Sequence, residues 1–206
     1  MKGILEYSWS ELLVRGSRFL AEAFPVETQE EARELLKSQK AKYADATHVV
    51  HAFVLGSTGG ILGCSDDGEP SGTAGRPVLD VLKGSGLTGI MLTVTRWFGG
   101  TLLGTGGLVK AYADAAKAVL ETVRSAELVE IRDFTVEARY EMHEHLVREL
   151  ARFGAEVTGE NFGETVTISG SVEEARSAEL AALVTSVTSG RSCAKTAPQT
   201  RTGRKA

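Results

Sequence analysis

The chain has 206 residues, 42% of them hydrophobic, with 23 basic and 27 acidic side chains and a formal charge of −4. That length supports one large domain or two small ones, and the acidic balance lacks the general signature of a nucleic-acid binder. The N-terminal MKGILEYSWSELL has no continuous apolar core of a secretory signal, and no apolar run is long enough to span a bilayer; a cytoplasmic protein with no membrane partner and no DNA partner is expected.

Residues 3–24 read as two strands. Residues 18–24 alternate, with Phe19, Ala21 and Ala23 on one face, and Pro25 ends the run. Thr28 followed by Glu31 is a capping box. Ala32, Leu35, Leu36, Gln39 and Tyr43 then mark a helical stripe, with Lys37, Lys40 and Lys42 turned to solvent. Residues 48–55 (HVVHAFVL) and 61–65 form two strands around a Gly-rich turn, a hairpin. An acidic turn follows. Thr73 is placed to cap a helix running to about Lys83, with Pro77 in its first turn, where a missing N–H costs little. Residues 89–97 (GIMLTVTRW) are almost continuously apolar, as in a strand covered on both faces. A second Gly-rich turn spans 98–107, and Leu108 opens a long helix to about Arg124.

Composition changes after Ser125. Residues 130–140 alternate as a strand, and 142–153 form a helix with Leu146, Val147, Leu150 and Phe153 inward and Gly154 as its cap. Two strands joined at Phe162 and Gly163 and a helix closed by Gly190 complete β-α-β-β-α, most of a ferredoxin-like unit; residues 191–196 can supply its last strand. The expected division is residues 1–126, 127–196, and a basic disordered tail at 197–206. From Arg191 onward there are five bases and no acid, which leaves 18 bases against 27 acids on the rest. Such a polar, Thr-rich end serves solubility or touches RNA. Cys64 and Cys193 are far apart and match no metal or redox spacing, so both read as free thiols, buried or half-buried.

Fifteen of the 23 glycines lie between Gly56 and Gly107. Glycine loses the most backbone freedom on folding, so this concentration signals unusual backbone angles or a close approach to something. Three constellations sit there. In SDDGEP, Asp66, Asp67 and Glu69 repel one another unless a cation, an arginine or backbone amides neutralise them; the spacing does not match a calcium loop, and an Asx turn is the plain alternative. In GTAGRP, Thr73, free amides and Arg76 open a helix, a ready anion site. In WFGGTLLGTGGLVK, the run Gly99, Gly100, Gly104, Thr105, Gly106, Gly107 and Lys110 also leads from strand to helix start, yet it is neither a Walker loop nor G-x-G-x-x-G. Tight turns without a ligand fit both helix starts as well. Arg96 ends the buried strand and needs a partner, for which the acidic turn is the candidate; Trp97 and Phe98 read as core. His48 and His51 face opposite ways on their strand and cannot share a metal. His143 and His145 read as surface.

The motifs DDGEPSGTAGRP, residues 66–77, and RWFGGTLLGTGGLVKAY, residues 96–112, with His48 in ATHVVHAF, resemble the YigZ/IMPACT family. GAEVTGENFGETVTISGSV resembles the small C-terminal domain of its bacterial members. The resemblance covers nearly everything but the basic tail. It implies an α+β protein of two domains: an α/β domain like domain 2 of ribosomal protein S5, then a ferredoxin-like domain similar to the last domain of elongation factor G. The eukaryotic member IMPACT acts on translational control by competing for the activator of an eIF2α kinase, through an extra N-terminal domain that these residues do not match. The function expected is a translation-linked regulatory factor that binds RNA, the ribosome or a translation factor through one groove. That groove is formed by His48, Asp66, Asp67, Glu69, Thr73, Arg76, Arg96, Gly99, Gly100, Gly104, Thr105, Gly106, Gly107 and Lys110. The alternative is a metal-assisted hydrolase or nucleotide-binding protein built on the three carboxylates. No cofactor is specified, no catalytic residue is singled out, and metal binding and oligomeric state stay open.

Overall fold

Period-two runs of β-branched and apolar residues, punctuated by glycine, build the sheet that carries the motifs. The computed structural model describes residues 1–204 and divides the chain after Leu128 into two units. The first contains β1 (Lys2–Ile4), β2 (Ser8–Val14), β3 (Ser17–Pro25), α1 (Gln29–Lys42), β4 (His48–Leu55), β5 (Ile61–Ser65), α2 (Gly75–Gly84), β6 (Leu87–Thr88), β7 (Ile90–Trp97) and α3 (Gly104–Thr122). Residues 3–24 thus hold three strands rather than two. Short β1 leaves the main sheet to pair in parallel with β6, and antiparallel with the start of β8 (Ser125–Ala138).

The main sheet has the order β2-β3-β7-β4-β5 and is antiparallel throughout. Arg15 and Gly16, both at positive φ (46° and 82°), make the β2–β3 turn, which suits the twist of paired strands. The central strand β7 is buried from Ile90 to Arg96, as its apolar run requires. One face of the sheet packs on α2 and α3: Phe19, Ala21, Val50, Ala52, Leu92 and Val94 meet Val78, Leu82, Leu108, Tyr112, Ala116 and Val119. The other face meets α1 through a smaller cluster of Val26, Ala32, Leu55 and Met91.

The α1 side is chemically different from the dry side. Glu22, Thr93 and His51 form one row across β3, β7 and β4. Among the described residues, Glu22 Oε2, Gln39 Oε1, His51 Nδ1, Thr93 Oγ1 and Thr95 Oγ1 are buried and find no hydrogen-bond partner. Glu22 Oε1 accepts from the Tyr7 hydroxyl at 2.8 Å and from Lys42 Nζ at 3.2 Å. Burial and that carboxylate push the Tyr7 phenol up to about 12. Lys42 is exposed, as expected, and its ammonium reaches back to this buried carboxylate. Thr28 caps α1 by accepting from Glu31 N at 3.1 Å, but Glu31 accepts from Glu27 N, one residue outside the expected box.

The second unit runs from Val129 and holds most of β8, then α4 (Tyr140–Phe153), β9 (Glu156–Phe162), β10 (Val166–Glu173), α5 (Ser177–Val187) and β11 (Ala194–Arg204). Its strand order is β11-β8-β10-β9: the first strand lies between the fourth and third, which is the ferredoxin-like arrangement. Gly154 caps α4 at φ 88°, and Phe134, Val136, Leu146, Leu150, Ile168, Leu180 and Val184 form the core. The expected disordered tail is corrected for its described part: residues 197–204 continue β11, because an open edge of β8 offers them a ladder. Residues 205–206 lie outside the described residues. Cys64 and Cys193 are both exposed, not buried. His143 is also not free surface; its Nε2 lies 2.6 Å from Glu160 Oε2.

Candidate functional site

The acidic turn is held by its own backbone and by the elements around it. Asp67 sits at φ 46°, a conformation that Asp tolerates better than most residues. This turns the Asp67 carbonyl to His48 Nδ1 at 2.7 Å. The Asp67 carboxylate accepts from Val49 N at 2.7 Å and pairs with Lys40, which stays exposed as expected. Asp66 accepts from Gly72 N at 2.8 Å, Ala74 N at 3.0 Å and Gly75 N at 2.7 Å. It therefore caps α2 from a distance in sequence. Burial raises its pKa, but the three amides outweigh that and leave it below the usual carboxylate range.

Thr73 does not cap α2; its hydroxyl donates to the Pro70 carbonyl at 2.6 Å. The expected anion site at the start of α2 is thus filled by Asp66, and Arg76 lies on the exposed side, paired with Asp80 at 2.9 Å. Gly75 is required because a Cβ there would stand 2.7 Å from the Ser65 carbonyl carbon.

Glu69 turns inward. Its side chain is 3% exposed and that of Arg96 is 6% exposed. Glu69 Oε1 accepts from Arg96 Nη1 at 2.7 Å and from the Tyr112 hydroxyl at 2.7 Å. Burial, then the bond to Glu69, push the Tyr112 phenol far above its ordinary value, so it remains a donor. Arg96 Nη2 reaches Ser17 Oγ at 3.4 Å, while Arg96 Nε is buried and has no partner among the described residues. Glu69 Oε2 lies 3.8 Å from His48 Nε2, beyond hydrogen-bond reach. Because Nδ1 faces a carbonyl, it carries a proton; in the neutral ring Nε2 is then an acceptor pointing at another acceptor.

His48, Glu69 and Arg96 line a pocket of about 430 Å³ whose wall is made by Thr47, Pro70, Phe98, Leu102, Leu103 and Leu108, and which includes Gly104 and Thr105 at the start of α3. That helix begins at Gly104, four residues earlier than Leu108, so Gly104, Thr105, Gly106 and Gly107 are its first turn and not a loop. Among the described residues no side chain caps it, and no acid lies in that turn. Its free amides and positive pole face outward.

Of the residues expected to share a groove, His48, Glu69, Arg96, Gly104 and Thr105 line the pocket. Asp66, Asp67 and Thr73 hold the turn in place. Arg76 and Lys110 are exposed and paired with Asp80 and Asp114 on their own helices. Gly100 sits at φ 84° before α3. Gly99 is a close-approach residue: a Cβ there would overlap the backbone of Gly16. Phe98, expected in the core, is 47% exposed at the mouth, and Leu102 is 82% exposed. Trp97 is half-buried under Arg18, 4.0 Å from the ring centre, and donates Nε1–H to Asp45.

Tyr112 entered the sequence reading as the last residue of the motif at 96–112; a buried tyrosine hydroxyl implies a polar partner. Thr47 carried no signal, and Leu102 and Leu103 entered only as part of the motif at 96–112. The three carboxylates point to different protein donors, and among the described residues no group of three or more His, Cys, Asp or Glu side chains could hold a metal ion.

Comparison with known proteins places this geometry in company. The Impact N-terminal domain matches residues 15–120, and a domain of unknown function, DUF1949, matches residues 136–191. The chain is 34% identical over 182 residues to IMPACT family member YvyE of Bacillus subtilis, covering 88% of this chain and 84% of that one. It is 39% identical over 129 residues to IMPACT family member YigZ of Escherichia coli, covering 62% of this chain and 63% of that one. A crystal structure described as that of a hypothetical protein superposes with a TM-score of 0.65 at 29% identity, over 94% of this chain and 95% of that one. Among the described residues no helix is long and apolar enough to cross a membrane.

Proposed function

This chain belongs to the IMPACT family, and from that premise we propose that it is a cytoplasmic, translation-linked regulatory factor whose first unit binds an RNA-bearing partner, such as the ribosome, through the pocket at the start of α3. The supporting observation is the pairing of a buried arginine that keeps an unused donor with an uncapped helix start in one open pocket. Such a site favours a phosphate-bearing group. The family link supports translation as the setting, since the eukaryotic member acts in translational control. The hydrolase reading draws no support from the carboxylates, because each already serves a protein donor.

The test is co-sedimentation of the full chain with ribosomes, beside binding to tRNA and rRNA, across a salt series. Binding is expected at low salt and falls steeply as salt rises, because phosphate contacts release counterions. Absence of binding to all three at low salt sinks the reading.

A further inference from the structure

We propose that the pocket recognises a ribonucleoside monophosphate unit, either a free ribonucleotide or the phosphorylated end of an RNA; this rests on the reading above that the pocket is the binding site of the first unit.

Three sets of groups carry the proposal. The first is a donor set. The 19-residue helix α3 starts at the pocket without a capping side chain or an acid in its first turn. Independently, Arg96 Nε is buried without a partner among the described residues, in a side chain that lines the same pocket. Buried polar groups are almost always satisfied, so an unused donor in a residue that lines the same pocket as the helix start suits an incoming oxyanion. The nearby Glu69 carboxylate does not forbid this, because Arg96 Nη1 and the Tyr112 hydroxyl both bind its Oε1 at 2.7 Å.

The second is an acceptor set. His48 Nε2 and Glu69 Oε2 stand 3.8 Å apart, and with the ring neutral both call for a donor. A ribose diol brings two hydroxyls, and a deoxyribose unit lacks one of them. A carboxylate that accepts from a ribose hydroxyl is a common solution in nucleotide sites.

The third is a flat apolar rim. Phe98 and Leu102 are exposed beside Pro70 and Leu103, and a nucleobase stacks on an aromatic face irrespective of its identity. A volume of about 430 Å³ lies in the range of small-ligand pockets. Inorganic phosphate alone would leave the acceptors and the rim unused.

Calorimetric titration of the full chain with AMP, 2′-deoxy-AMP and inorganic phosphate tests this. Wild type should prefer AMP to both others by about tenfold or more, the worth of a hydrogen bond or a stacked ring. Phe98→Ala should weaken AMP by about tenfold or more and leave inorganic phosphate unchanged. Thr105→Glu, which puts a carboxylate into the open helix start, should abolish binding of both. Phe98 and Thr105 are exposed, so both variants should fold, and a melting curve checks that. Equal affinity for AMP and 2′-deoxy-AMP, or indifference to both substitutions, overturns the proposal. A 5′-phosphorylated RNA oligonucleotide that binds more tightly than AMP assigns the source to an RNA end; equal affinity assigns it to free nucleotide. Absence of AMP binding in a protein that still co-sediments with ribosomes overturns this inference and leaves the proposed function standing. AMP binding without ribosome or RNA association does the reverse.

Discussion

The two motif loops of the first unit dispose of their polar groups in opposite ways. In the acidic turn, Asp66 meets three backbone amides, Asp67 meets Val49 N and Lys40, and Glu69 meets Arg96 and Tyr112. At the Gly-rich start of α3, no side chain among the described residues caps the helix. The residues that look most reactive in the sequence are therefore the ones the fold has used, and the open hydrogen-bonding positions lie among residues that look like packing and turn.

Four substitutions sharpen or break this contrast. Glu69→Ala leaves Arg96 buried without its counter-charge, and should cost about 3–5 kcal/mol; an unchanged melting temperature would mean that the acidic turn is not structural. Asp66→Ala removes the cap of α2 and should cost about 1–2 kcal/mol. It should also flatten the acid limb of stability against pH. The folded-state pKa of Asp66 lies below its ordinary value, so its contribution is complete above that ordinary value and is lost as pH falls through the folded one. Thr105→Glu should raise stability by about 0.3–1 kcal/mol through the helix dipole, the opposite sign from the acidic turn; a loss would show that the start of α3 is already satisfied. Phe98→Ala, on an exposed rim, should stay within about 0.5 kcal/mol of wild type in chemical denaturation.

Much of the fold was legible because it is written in periodicity. The apolar run of β7, the stripe of α1 and the Gly154 cap each follow from short-range rules, and the buried Arg96 called for an acid that Glu69 supplies. The α2 cap was not legible in the same way. Thr73 stands where local rules place a cap, but Asp66 wins because the turn brings a charged acceptor to the same amides, and such bonds are the stronger kind. Nor was the exposure of Phe98 legible, since an aromatic after a buried strand reads as core until its neighbours are placed. The pocket itself depends on which parts of two loops some thirty residues apart face each other, and composition carries no record of that.

The polar seam under α1 has a kinetic consequence. Five buried atoms there lack protein partners among the described residues, and each such group carries a desolvation cost of about 1–3 kcal/mol. The opposite side, between the sheet and α2 with α3, carries one such atom among the described residues, Arg96 Nε. Sub-global opening should therefore begin with α1, and its backbone amides should take up deuterium earlier than those of α3 in native-state exchange. Mild acid should hasten it, since burial and then Lys40 hold the His51 pKa below its ordinary value and protonation favours the detached form. The helix would peel away while the opposite layer, with Arg96, Glu69 and Tyr112, stays assembled.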